Sequence, residues 1–147
     1  MTADTSIPAP PAYPPPRQLL AGQRVLVTAA AGTGIGFAVA RRCAEEGATV
    51  FVSDIHERRL GEAVARLADV APGRVHSRAC DVTRQTDVDA LVAEAVEALG
   101  GVDVLINNAG LGGTATVAAM TDEEWQRVID VSLTSVMRMT RAILPHM

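Results

Sequence analysis

Thr28-Ala29-Ala30-Ala31-Gly32-Thr33-Gly34-Ile35-Gly36 is the stretch on which the fold turns. Ahead of it, Val25-Leu26-Val27 is a short apolar run of the kind that forms a buried strand. Behind it, Ile35, Val39, Ala40 and Cys43 recur at helical spacing, and Gly47 marks a stop. A glycine-rich turn between a strand and a helix is built to receive a pyrophosphate. Glycine takes positive φ without penalty and lets a phosphate approach the backbone closely. The helix start adds unpaired N–H groups and a partial positive charge. A turn of this shape can also join strand to helix and bind nothing.

Outward from the turn, the alternation continues. Residues 49–53 (TVFVS) read as a second strand, and Leu60, Val64, Leu67 and Val70 as the stripe of a second helix closed by Pro72-Gly73. Val75 to Cys80 reads as a third strand, polar enough to sit near a sheet edge. Thr83 is placed to cap a third helix with Val88, Leu91, Val92, Ala95 and Leu99 as its buried stripe. Gly100-Gly101 ends that helix, and residues 102–106 form a fourth strand. Thr121 and Glu124 have the spacing of a capping box, opening a helix that runs to Pro145. Trp125, Val128, Ile129, Leu133, Val136, Met137, Ile143 and Leu144 cover more than one of its faces. A helix apolar on two sides needs two partners. One is the sheet, and the other is expected to be a second subunit. Strands separated by helices of this length predict βαβ units, a parallel sheet and right-handed crossovers.

Composition narrows the function classes. The 147 residues suffice for one domain, and 48% hydrophobic with 20% charged residues is ordinary for a chain that buries a core. A net charge of -4 with no basic patch argues against nucleic acid as a partner. Cys43 and Cys80 have no metal-type spacing, and His56, His76 and His146 are scattered, so no metal site is expected. The low cysteine count fits a reduced cytoplasm. Val25 to Ala40 is uncharged but too short to span a bilayer, so no membrane partner is expected. Pro8, Pro10, Pro11, Pro14, Pro15 and Pro16 exclude regular structure near the N-terminus. The division expected is a Pro-rich disordered tail over 1–19 and a nucleotide-binding domain over 20–147.

Asp54 ends the second strand, eighteen positions after Gly36. An acid about 20 residues beyond such glycines can hydrogen-bond the ribose hydroxyls of NAD and repel the extra phosphate of NADP. It can equally cap the helix beginning near His56-Glu57. Arg58 and Arg59, a turn into that helix, read as solvated face residues.

With Thr28 to Gly36, Asp81-Val82 and Asn107-Asn108-Ala109-Gly110 in this order and spacing, residues 20–147 resemble the short-chain dehydrogenase/reductase family. The resemblance implies an α/β, Rossmann-like doubly wound parallel sheet that stops after the fourth strand and the long helix. It implies that Gly34 and Gly36 lie under the pyrophosphate, with Gly32 shaping the turn and Thr28 and Ile35 among the cofactor-binding residues. Asp54 would read the adenosine ribose, Asp81 and Val82 would flank the adenine, and Ala109 and Gly110 would lie near the nicotinamide-side ribose. Asn107 resembles the asparagine that braces the sheet, with Asn108 beside the cofactor. The plain alternative for both asparagines is a strand-end turn. The expected cofactor is NAD(H) in preference to NADP(H).

Two departures stand out. Ala29 follows Thr28 where the family has glycine, and Gly32-Thr33 lengthen the loop. Ser132 occupies the position of the family's helix asparagine and lacks the amide's paired donor and acceptor. The stretches around Thr28, His56 and Asp130-Val131-Ser132-Leu133 resemble more closely an actinobacterial subgroup that includes dehydrogenases of steroid-ring degradation. The family's chemistry needs a tyrosine, a lysine four residues later and a serine. Here the single tyrosine is Tyr13, before the first strand, and there is no lysine. A phenol with pKa near 10 must be shifted to work near neutrality, and no residue here is placed to do so. The sequence therefore predicts an NAD(P)-dependent oxidoreductase of secondary alcohols or ketones, present as a truncated chain that is inactive as given. A small-molecule substrate is implied, with a steroid-derived ring intermediate as its class, and a homo-oligomer for the full-length form. A noncatalytic nucleotide-binding module and a nonfunctional fragment are the alternatives. An uncovered fourth strand would also leave the chain aggregation-prone.

Overall fold

The computed structural model describes residues 10–113 and 115–147. The tail expectation therefore falls partly on residues 1–9, outside the described residues. Four strands, β1 (Arg24–Val27), β2 (Thr49–Asp54), β3 (Val75–Ala79) and β4 (Val104–Ile106), form one parallel sheet in the order β3-β2-β1-β4. Helices α1 (Ile35–Glu45), α2 (Glu57–Ala68) and α3 (Gln85–Leu99) follow the first three strands in turn. The result is the Rossmann-like α/β architecture expected from the alternation.

Side chains of a strand alternate between faces, and the core splits accordingly. Val25, Val27, Val50 and Val52 meet Phe37, Ala40, Leu60 and Leu67 of α1 and α2 on one face. Leu26 and Phe51 meet Val88, Leu91 and Val92 of α3, with Met139 and Ile143, on the other. The middle strands β1 and β2 are almost wholly buried, whereas β3 and β4 are half-buried throughout, as befits edges.

At the lower end of the sheet, Arg24 grips Asp103. Its Nε donates to Asp103 Oδ2 at 2.9 Å and its Nη2 to Oδ1 at 2.6 Å, a two-pronged pairing that ties β1 to the approach to β4. The Arg24 guanidinium and backbone N–H pull the Asp103 carboxyl down to about 2.

Three expectations need correction. Thr83 does not cap α3: its Oγ1 donates to Asp81 Oδ1 at 2.7 Å, and the N-cap is Arg84, without a side-chain cap. An aspartate two residues back competes successfully for the hydroxyl. The fourth strand is shorter than 102–106, because the Val102 N–H turns to the His146 carbonyl at 3.4 Å. The long helix is also not uniform. It begins at Thr121 with the expected capping box and runs as α4 (Asp122–Ile129), a π-helical turn (Asp130–Thr134), α5 (Ser135–Ile143) and a closing 3-10 turn (Leu144–His146). Ser135 Oγ donates to the Val131 carbonyl at 2.6 Å inside the widened turn. Hydroxyls that bond back to the helix compete with its ladder.

Residues 10–19 contain no helix or strand and lie against α1. Tyr13 donates its hydroxyl hydrogen to Glu45 at 2.6 Å under the Arg42 guanidinium, and Glu46 accepts from the Arg17 and Leu19 N–H groups. No helix among the described residues is long and apolar enough to cross a membrane.

Candidate functional site

The carboxyl ends of parallel strands are where open α/β sheets bind ligands. Here they frame a cleft of about 380 Å³, with Ala29 after β1, Asp54 to His56 at the end of β2, Cys80 to Val82 after β3, and Ala109 to Leu111 after β4. Arg59, Arg127 and Val131 complete its wall.

The expected residues divide into two groups. Asp54, Asp81, Val82, Ala109 and Gly110 face the cleft. Thr28 and Asn108 stand behind its wall. The Thr28 side chain is buried, and its Oγ1 accepts from the Asn108 and Ala109 N–H groups at 3.0 and 3.1 Å. Asn108 Nδ2 donates to the Thr28 and Ala29 carbonyls at 3.1 and 3.0 Å. Ala29 has φ 51, a left-handed conformation costly for alanine, and this double bond holds it there. The Thr28 and Asn108 side chains thus support the wall of the cleft from behind. The bracing role also falls to Asn108 rather than Asn107, whose amide instead donates to Thr140 Oγ1 at 3.3 Å.

Gly32, Gly34, Ile35 and Gly36 form the loop and helix start beside the cleft and do not line it. Gly36 is fixed by packing: a Cβ there would lie 2.4 Å from both the Ala29 carbonyl and Asn108 Nδ2. Gly34, the N-cap of α1, has open space where a side chain would stand, and no side chain caps the helix. The first N–H groups of α1 therefore remain available to an anion.

Asp54 accepts from the Ala31 N–H at 3.2 Å and the His56 N–H at 3.0 Å, so its carboxylate ties the glycine loop to the start of α2. Each oxygen keeps a lone pair for a further donor. Asp54 lines the cleft, but it does not cap α2: the N-cap is His56, and no side chain caps that helix. Arg58 pairs with Glu62 on an open surface, and Arg59, exposed as expected, also lines the rim of the cleft. Arg59 and Arg127 have no ion-pair partner among the described residues. Sequence inspection missed Arg127 because nothing local aims α4 at the cleft. Cys80 is inert there: burial first, then the charges of Asp87 and Asp81, push its thiol up to about 12.

Ser132, in the π-helical turn, accepts from the Leu111 N–H at 3.0 Å and donates to the Leu111 carbonyl at 3.2 Å. It fastens the segment leaving Gly110 to the long helix. Tyr13 is held against α1 and does not line this cleft.

A family model described as short chain dehydrogenase matches residues 23–147. The chain belongs to the short chain dehydrogenase family. Its relatives include a (5R,7aS)-5-hydroxy-7a-methyl-1-oxo-2,3,5,6,7,7a-hexahydro-1H-indene-carboxyl-CoA reductase of Mycobacterium tuberculosis, 60% identical over 87% of this chain and 49% of that protein. A 3-oxoacyl-[acyl-carrier-protein] reductase FabG of Thermotoga maritima is 37% identical over 87% of this chain and 51% of that protein. Among solved structures, a short chain dehydrogenase from Mycobacterium smegmatis superposes with a TM-score of 0.89 at 58% identity, covering 92% of this chain and 57% of that one. L-sorbose reductase from Gluconobacter frateurii, solved with NADPH and L-sorbose, gives a TM-score of 0.82 at 33% identity over 88% of this chain and 49% of that one. This short chain dehydrogenase chain thus spans about half the length of the curated relatives it matches.

Proposed function

We propose that this short chain dehydrogenase chain supplies the cofactor-binding half of an oxidoreductase that moves hydride between NAD(H) and a secondary alcohol or its ketone. The observation that carries the reading is the cleft itself, set between Asp54 and Asp81 and next to the uncapped start of α1. The residues fit a dinucleotide. Asp54 is an acceptor for ribose hydroxyls, Cys80 to Val82 offer a mostly apolar slot for adenine, and the first N–H groups of α1 suit a pyrophosphate. Ala109 and Gly110 lie towards the nicotinamide end. When bound, the nicotinamide supplies the hydride chemistry, and the residues named here hold and orient it.

The Asp54 carboxylate favours NAD(H) over NADP(H) by charge. Arg59 in the same cleft opposes that preference, so the preference is modest. Binding of NADH and NADPH to the purified protein, followed by fluorescence, tests both points. Tighter NADH binding is expected, with Asp54→Asn narrowing the gap, and no binding of either cofactor would overturn the reading. The substrate class is proposed from the mycobacterial relative: a ketone or alcohol on a fused-ring acid carried as a CoA thioester. Reduction of such a ketone with consumption of NADH checks it. We further place the protein in the cytoplasm as a homo-oligomer built through the apolar long helix.

A second reading has its own observation. These 147 residues contain no lysine, and the sole tyrosine lies against α1, so they bring no tyrosine–lysine pair to the cleft. By themselves they bind nucleotide without turning substrate over. Cofactor binding without NADH oxidation by any ketone is the expected signature.

A further inference from the structure

The glycine loop is anchored unevenly. On its sheet side, the Ala30 N–H donates to the Ser53 carbonyl at 2.9 Å, the Ala31 N–H to Asp54, and Asn108 holds the Thr28 and Ala29 carbonyls. Beyond Ala31 the chain turns through Gly32 at φ 86 and does not regain regular hydrogen bonds until the Ala38 N–H reaches the Gly34 carbonyl. Among the described residues, one side chain hydrogen-bonds to this outer part of the loop. Arg66, near the end of α2, donates from Nη1 to the Gly32 carbonyl at 3.1 Å. Its guanidinium lies 3.9 Å from the centre of the Phe37 ring, which is buried in the first turn of α1.

From this we infer that Arg66 is a positioning residue of the phosphate loop: stacked on Phe37, it fixes the Gly32 peptide and thereby the loop's grip on a dinucleotide pyrophosphate. The inference rests on the nucleotide reading above and adds a residue that the family motifs do not mark.

A trans peptide points its N–H opposite its C=O. Holding the Gly32 carbonyl towards α2 therefore holds the Thr33 N–H on the other side of the loop. Glycine at this φ has many competing conformations, so an external tether is what selects one. A planar guanidinium can also stack on a ring and donate at its edge together, a pairing an ammonium does not reproduce. The clamp thus links the end of α2, the loop and the first turn of α1, whose N–H groups are free.

The test compares two probes on the purified protein. ADP-ribose carries the pyrophosphate, and adenosine occupies only the ribose and adenine end. Calorimetry would give the affinity of each for wild type, Arg66→Gln, Arg66→Lys and Phe37→Leu. Arg66→Gln is expected to weaken ADP-ribose about tenfold, the scale of one charge-assisted hydrogen bond with its stacking contact. Adenosine binding should change by less than about twofold in the same variant, since the Asp54 and Asp81 end is untouched. Arg66→Lys, which keeps charge but not geometry, and Phe37→Leu should fall between. Unchanged ADP-ribose affinity in Arg66→Gln overturns the inference, as does an equal loss for both probes, which would mark a general loosening of the fold. A wild-type protein that binds neither probe overturns the nucleotide reading itself, and this inference with it.

Discussion

The two flanks of the sheet treat equally apolar helices differently. On the β1–β2 flank, α1 buries Phe37, Ala40, Cys43 and Ala44, and α2 buries Leu60, Ala63 and Leu67. On the β4 flank, α4 buries no residue, and Trp125, Leu133, Met137 and Leu144 stand exposed along the long helix. Only Ser135, Met139 and Ile143 of α5 are buried, against α3 and the β1–β2 face. The β1–β2 flank closes its core within these residues, and the β4 flank presents apolar surface. Hydrophobic pattern says that a face will be covered, but not by what.

That contrast can be attacked from both sides. The largest effect is expected from Phe51→Ala. This fully buried ring joins the sheet to α3, and losing it should cost about 3–5 kcal/mol in a denaturant melt. A loss well under that would mean the central core is as loose as the β4 flank. Gly36→Ala comes next, at about 1–3 kcal/mol, because a Cβ must displace the Ala29 carbonyl or the Asn108 amide. The same variant should lose nucleotide affinity, since both displaced groups shape the loop.

Acid titration probes the seam between the flanks. The Asp103 carboxyl is held near 2 by Arg24, below its ordinary 3.8. A carboxylate with a depressed folded value contributes its full stability above the ordinary value and loses it as the pH falls. Stability should therefore decline between about pH 4 and pH 2 through this pair, and Asp103→Asn should be less stable near neutrality with a shallower acid slope. An unchanged slope in that variant would show that the pair does not hold β4 to β1. The smallest effect is expected from Trp125→Ala in dilute protein, within about 0.5 kcal/mol, because the ring is 57% exposed. A larger loss that grows with protein concentration would show that a second copy covers this face.

Much of the fold was legible in the residues themselves. Short apolar runs placed β1 and β2, the polar Val75 to Cys80 run placed β3 at an edge, and Thr121 with Glu124 marked the start of α4 within one turn. The glycine loop and Asp54 were legible from spacing, whereas Asp81, Val82, Ala109 and Gly110 were marked by the family resemblance; they meet because successive strand ends of a parallel sheet converge at one edge. Thr83 failed as a cap for a local reason, a nearer acceptor at Asp81, which composition does not rank.

The sequence by itself determined the order of strands and helices, the loop between β1 and α1, and the acids at the strand ends, since each depends on neighbours within a few residues. Only the tertiary structure decided that Asn108 braces the loop, that Arg59 and Arg127 face the cleft, that Ser132 fastens Leu111, and that Arg66 reaches Gly32. Those contacts join residues 21 to 80 positions apart. They follow from how helices lie on the sheet, and that packing is set by the whole core rather than by any local pattern.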